Sequence, residues 1–263
     1  CSKAVIKQEM RGALETPIAW RTTIDKCYAM GIVPLAYDLG YFDHLDTIVL
    51  DRYSRKYRST VCEEWDSLPT DAPVPEYLVP YIKMVREAAS EAYRLGPISK
   101  DKYIAVFLAT HTHLCHKPFS IGITPLVHRL VETISKAGMR PVIKCHPYTL
   151  PQQTANIKGA TFIRGREPVL NARISLWAHN VVFMPGSVSN EFVIQSIPAS
   201  TLGRLWHIGP SVFHTPKSFE DILQPAPINY VARAKWCAWW YRHQGVIEDV
   251  IPRILPELIE SAR

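Results

Sequence analysis

KYIAVFLAT (102–110), ITPLVHRLVETISKAG (123–138) and RPVIKCHP (140–147) form an apolar run, an amphipathic stretch closed by a glycine, and a second apolar run. The two outer runs are short and rich in β-branched and aromatic residues, as strands are, while the middle one repeats its apolar positions at helical spacing up to Gly138. Strand, crossover helix and strand make a parallel pair buried on both faces. The alternation continues outward. ATFIRG (160–165), VVFMPG (181–186) and ASTLGR (199–204) read as further strands, with PVLNARISLWAHN (168–180) and NEFVIQSI (190–197) as the helices between them. Residues 98–226 are read on this basis as a Rossmann-like lobe.

Upstream, residues 1–97 read as a first lobe with a helix near 22–30, strands VPLAYD (33–38) and TIVLD (47–51), and a long helix within 76–95. SLPTDAPVP (67–75) is a connection inside that lobe, and RLGPISKDK (94–102) is the hinge candidate. Downstream, residues 227–263 contain INYVARAKWCAWWYRHQ (228–244) and IEDVIPRILPELIESA (247–262), both read as helices that pack back on the lobes. The expected fold class is α/β, with two Rossmann-like lobes and C-terminal helices.

With 263 residues, 47% hydrophobic and 21% charged, the chain has the composition of a folded protein with a substantial core. IAVFLA (104–109) and NVVFMP (180–185) are too short to cross a bilayer, and no leading apolar block resembles a signal peptide, so a cytoplasmic protein is expected. The first residue is Cys1 rather than Met, and the numbering is read as starting inside a longer product. Six cysteines without a C-x-x-C pair read as reduced thiols. A net charge of +6 favours an anionic ligand: a nucleotide sugar, an acidic glycan or a nucleic acid.

In a doubly wound sheet, ligands bind outside the carboxyl ends of the strands. Four segments stand there: Thr110 to His116, Lys144 to Tyr148, Arg164 to Glu167 and Pro185 to Glu191. Gly186, Ser187, Ser189 and Asn190 lie where a strand turns into a helix, a place where backbone N–H groups receive phosphate; the competing reading makes Ser189 an N-cap. Lys144 and His146 on the companion strand end suit the neutralisation of a diphosphate or phosphodiester as a glycosidic bond breaks.

The V-x-K-x-H-P strand end, followed some forty residues later by a small Ser-containing turn with a Glu, resembles the C-terminal lobe of GT-B glycosyltransferases of bacterial capsule and lipopolysaccharide synthesis. The Kdo-transferase and sialyltransferase-like branches are nearest in pattern. PLAYDLGYFDHLDTIVLD in the first lobe is similar to that family's acidic-x-Gly-aromatic segment followed by a strand and an Asp. The resemblance implies a GT-B-like pair of lobes and transfer from a nucleotide-sugar donor to a surface-polysaccharide glycan. It also implies that His146 and Ser187 or Ser189 contact the donor phosphate, that Thr110, His111 and Thr112 line the donor from the first strand, and that Arg166 and Glu167 border the base or ribose. Lys144, Asn190 and Glu191 complete the expected donor set. After Asp51 the chain reads DRYSRKYRST where the capsule enzymes often continue with Pro-Gly-hydroxyl residues, so acceptor specificity does not carry over.

The catalytic carboxylate is expected in the first lobe: Asp38 as general base or nucleophile, beside Gly40, then Asp43; the bland alternative makes Asp38 a turn cap and Asp43 a solvated charge. Asp51, Arg52, Arg55, Lys56 and Arg58 are the acceptor-side candidates. His111, His113 and His116 have a spacing that suits zinc, but no matching set stands at the other strand ends, so no metal and no cofactor beyond the donor is expected. Tyr53 and Tyr57 among the cations of 52–58, and Arg233, Lys235, Trp236, Trp239, Trp240, Tyr241 and Arg242 on a helix, mix charge with aromatics as nucleic-acid binders do; the competing reading makes the charge run a solvated face and the tryptophans core. Transfer to a hydroxymethylated DNA base is therefore the alternative acceptor reading. A sugar-nucleotide epimerase or hydrolase and a non-catalytic nucleic-acid-binding module are the alternatives from other classes.

Overall fold

The structure is a computed structural model that describes residues 4–7, 34–39, 48–51, 60–110, 112, 114–203 and 209–246, with 252–254, 256 and 260. Its strands are β1 (Ala4–Lys7), β2 (Pro34–Leu39), β3 (Ile48–Asp51), β4 (Tyr103–Phe107), β5 (Arg140–Lys144), β6 (Thr161–Ile163), β7 (Asn180–Phe183), β8 (Ala199–Thr201) and β9 (Gln244–Gly245). Its α-helices are α1 (Val61–Glu64), α2 (Val79–Leu95), α3 (Ile123–Lys136), α4 (Pro168–Ser175), α5 (Val188–Ile194) and α6 (Tyr230–His243). They fall into two compact units, one made of Ile82–Leu205 and Phe213–Asn229, the other of Cys1–Tyr81, Trp206–Val212 and Tyr230–Arg263.

The first of these units carries a five-stranded sheet in the order β6-β5-β4-β7-β8. All four pairings are parallel. Every residue of β4 is buried, as expected of a central strand covered on both faces. Ile123, Leu126, Val127, Leu130, Val131 and Ile134 form the buried stripe of α3 at helical spacing and join Ile104, Val106, Ile143 and Val182 in the core. Gly138 stops that helix with a φ of 72°, a conformation its missing Cβ permits. The chain moves outward from β4 through β5 to β6, then returns to place β7 on the other side of β4. The order reverses between β4 and β7, and their carboxyl ends define the crevice of a doubly wound sheet.

The other unit contains a four-stranded sheet in the order β1-β2-β3-β9. β1 and β2 pair in parallel, whereas β2 with β3 and β3 with β9 are antiparallel. The parallel Rossmann-like pattern thus belongs to the five-stranded unit, and the described strands of this unit form a mixed sheet. Its α6 is buried nearly all round: Trp236, Trp239 and Trp240 are fully buried and Arg233 is 4% exposed. Trp239 Nε1 donates to Thr60 Oγ1 at 3.1 Å, and the Trp239 ring stacks on His243 at 4.5 Å. This corrects the stacking surface expected along 233–242: bases cannot reach tryptophans that fill the interior. Only scattered residues of 247–262 are described.

Candidate functional site

Lys144 ends β5 and is only 6% exposed. Its Nζ donates to Gly165 O at 2.6 Å and to Cys145 O at 3.4 Å, so the ammonium is spent on backbone carbonyls. Burial pulls its pKa below the ordinary value, and the nearby charges of Cys145, Glu191 and Glu167 oppose that pull. Gly165 is needed where it stands. With φ at 145°, a Cβ there would lie 2.5 Å from Glu167 Oε2 and 2.7 Å from Leu170 Cδ2. Lys144 thereby ties the ends of β5 and β6 together.

Glu191, on the first turn of α5, receives both of its hydrogen bonds from Asn171 on α4, whose Nδ2 lies 3.2 Å from each carboxylate oxygen. Burial pushes the Glu191 carboxyl up to about 7, against the Asn171 bond and the Lys144 charge. Asn171 Oδ1 is buried without a hydrogen-bond partner. Lys144, Glu191 and Asn171 therefore form a positioning network behind the strand ends.

His146 faces outward, half-buried. Its Nδ1 accepts from the Tyr148 backbone N–H at 3.2 Å, which leaves the proton of the neutral ring on Nε2. Burial, then the charges of Lys144 and Arg166, lower its pKa and favour that neutral form. The ring is thus a preset hydrogen-bond donor beside an exposed guanidinium. Arg164 holds the following loop from below, with Nη1 donating to Thr149 O at 2.8 Å and Nη2 to Thr154 Oγ1 at 3.4 Å.

At the β7 end, Ser187 is the N-cap of α5, makes no capping bond with its side chain and is exposed. Ser189 is fully buried, and its Oγ donates to Gly186 O at 2.9 Å. The backbone N–H groups of Ser189 and Asn190 donate to Gly186 O and Ser187 O. Of the two serines, Ser187 is the one open to a ligand. The β4 end touches the same crevice through Ala109 N, which lies 3.4 Å from Met184 Sδ. Thr110 is exposed, while Thr112 acts as a loop clamp: its Oγ1 accepts from Gly122 N at 3.1 Å. Arg166 and Glu167 follow β6, and Glu167 Oε2 accepts from Arg166 N at 3.0 Å.

No protein-family model and no curated protein matches the chain. Among solved structures it is similar to Thermosulfurimonas dismutans KpsC, beta Kdo 2,4 transferase, at 11% identity and a TM-score of 0.50, over 97% of this chain and 86% of that one. The beta Kdo 2,7 transferase of the same organism's KpsC gives 10% identity and a TM-score of 0.49, over 92% and 90%. The likeness to the first is one of fold.

The structure brings Lys144, His146, Arg166, Glu167, Ser187, Ser189, Asn190 and Glu191 to the carboxyl ends of one sheet. Asp38 lies in β2 opposite Val49, and Asp51 ends β3 opposite Ala36, both in the other unit. Asp43, His111, His113, Arg52, Arg55, Lys56 and Arg58 lie outside the described residues. Sequence reasoning missed Asn171 and Gly165. The signal for Gly165 was a glycine set between Arg164 and Arg166 at a strand end; Asn171 sits mid-helix and offered none. No described helix is long and apolar enough to cross a membrane.

Proposed function

We propose that the protein is a glycosyltransferase of the surface-polysaccharide type, moving a sugar from a nucleotide-sugar donor to a glycan acceptor. The observation that carries this is the neutral, Nε2-protonated His146 held at the end of β5 within reach of the Arg166 charge, with the exposed Ser187 at the end of β7 on the same edge of the sheet. The fold likeness to a beta Kdo 2,4 transferase supports it. In this reading the donor phosphate sits against His146 and Ser187. An acceptor hydroxyl attacks the anomeric carbon as its proton passes to a general base, the role the sequence suggests for Asp38 or Asp43. The bond from that carbon to the phosphate oxygen breaks, and its electron pair leaves with the nucleotide. His146 Nε2–H and the Ser187 hydroxyl stabilise the charge gathering on the leaving phosphate, while Arg166 borders the base or ribose. Arg55, Lys56 and Arg58 guide an anionic acceptor, and neither metal nor further cofactor takes part.

Thermal shift with CMP-, UDP-, GDP- and dTDP-sugars, a Kdo donor among them, tests the donor. A ligand at a hundred times its Kd stabilises the native state by about 2.7 kcal/mol. One nucleotide class is expected to raise the melting temperature and to be turned over when glycan acceptors are added. No shift with any donor sinks the reading. Turnover without an acceptor favours a hydrolase or epimerase, and activity lost on chelation and restored only by zinc or manganese refutes metal independence. DNA transfer is the weaker alternative, because the buried tryptophans of α6 remove half of the sequence pattern behind it.

A further inference from the structure

The loop that follows β5 carries an aromatic side chain that the phosphate contacts do not use. Tyr148 is 71% exposed, yet its place is fixed. Its backbone N–H is held by His146 Nδ1, the next carbonyl is held by Arg164, and Thr149 N donates to His146 O at 2.9 Å. Leu150 N donates to Gln153 Oε1 at 2.9 Å and closes the turn beyond. The Tyr148 ring centroid lies 5.4 Å from that of His146 and 5.8 Å from the Arg166 guanidinium. A large aromatic held open to solvent by a pinned loop, with one donor and one cation at its border, is preorganised for a flat π-system attached to an anion. A nucleotide has that shape: a base with a π-face and a phosphate a few ångströms away.

We infer that Tyr148, with Arg166, is the stacking seat for the nucleobase of the donor. The inference rests on the proposed donor site and names the part of the ligand that each group takes: His146 the phosphate, Tyr148 the base. Stacking accepts any base, so Tyr148 contributes affinity for nucleotides in general, and choice among bases falls to hydrogen-bonding groups around it.

The test is calorimetric titration of wild type, Tyr148→Ala, Tyr148→Phe and His146→Ala with CMP, UMP, GMP, dTMP and ribose 5-phosphate, and with a single-stranded oligonucleotide. Tyr148→Ala is expected to weaken the best nucleotide by roughly 5- to 150-fold while leaving ribose 5-phosphate unchanged. Tyr148→Phe keeps wild-type affinity, because the ring face is retained. His146→Ala weakens nucleotide and ribose 5-phosphate together. Wild-type affinity in Tyr148→Ala, or an equal loss for ribose 5-phosphate, overturns the stacking seat and leaves the donor site standing. Absence of nucleotide binding in the wild type removes both. An oligonucleotide that binds more tightly than any mononucleotide, and loses that advantage in Tyr148→Ala, overturns the assignment to a donor.

Discussion

At the carboxyl edge of the five-stranded sheet, Lys144, His146, Arg166 and Tyr148 share a neighbourhood with Glu191. Around α6, Lys235, Arg242, His243 and three tryptophans share one with Glu64. The residue types are the same, and the chain uses them in opposite ways. Around α6 three basic groups are paired: His243 Nε2 lies 3.0 Å from Glu64 Oε1, Arg242 lies 3.4 Å from Glu64 Oε2, and Lys235 Nζ donates to Trp65 O at 3.0 Å. At the sheet edge Lys144 is spent on carbonyls, Glu191 is held by an amide, and His146, Arg166, Ser187 and Tyr148 are left facing outward. A cluster whose charged members pair with one another is architecture; a cluster that leaves its outer polar members facing solvent keeps them for a ligand.

The largest expected effect separates the two histidines. His146→Ala should lower turnover by about 10²-fold or more and leave the melting temperature near wild type, because the ring is half-exposed and supports no core. His243→Ala should do the reverse. It takes one partner from Glu64, which keeps Arg242, and removes the ring stacked on Trp239, and should destabilise by about 2 kcal/mol. Turnover and thermal unfolding measured on both variants decide it; a melting temperature that falls as far in His146→Ala as in His243→Ala collapses the distinction.

Much of this contrast was legible in the sequence on one side and hidden on the other. The alternation of short runs and amphipathic stretches between 102 and 204 marked all five parallel strands, most clearly the central β4, whose burial on both faces requires apolar residues throughout. Strand ends could then be read as site positions. The roles within the site were not legible, since Lys144 and His146 differ only in which way a side chain leaves the strand, and Ser187 and Ser189 only in which side of a helical turn they occupy. Around α6 the sequence shows cations and aromatics but not their partners, which come from residues 60–65, some 170 positions earlier. The four residues of β1 are too few to show a period, and β9 has only two.

The two carboxylates sharpen the comparison through pH. Burial raises Glu191 to about 7, so the folded state binds its proton more tightly than the unfolded chain does, and stability drains as pH rises from about 4.5 to about 7. Glu64 runs the other way. Burial alone would raise it, but the hydrogen bond and charge of His243, with Thr60 and Arg242, bring it below the ordinary value. Its contribution is present above the unfolded pKa and is lost as pH falls through the folded one. Glu191→Gln should therefore gain on wild type across pH 4.5 to 7, by on the order of 2 kcal/mol. Glu64→Gln should lose most at neutral pH and converge on wild type in acid. Unfolding curves at four or five pH values read both slopes, and equal slopes for the two variants undo the opposition.

The smallest expected effect divides two serines within one turn. Ser189 is buried and its hydroxyl closes the turn onto Gly186 O, so Ser189→Ala removes a satisfied internal hydrogen bond and should lower stability by about 1 kcal/mol. Ser187 occupies the cap position without making the capping bond, and its hydroxyl faces solvent. Among the described residues that oxygen makes no capping bond, so Ser187→Ala should leave stability within about 0.5 kcal/mol of wild type. What it should lose is a hydrogen bond to a charged ligand, typically worth about 1.5 kcal/mol or more, and hence about tenfold in donor affinity. The paired measurement is donor Kd and unfolding free energy for both variants. Should Ser187→Ala bind donor like wild type while Ser189→Ala loses affinity without losing stability, the open and closed ends of this turn have been assigned the wrong way round, and the phosphate contact moves two residues further into α5.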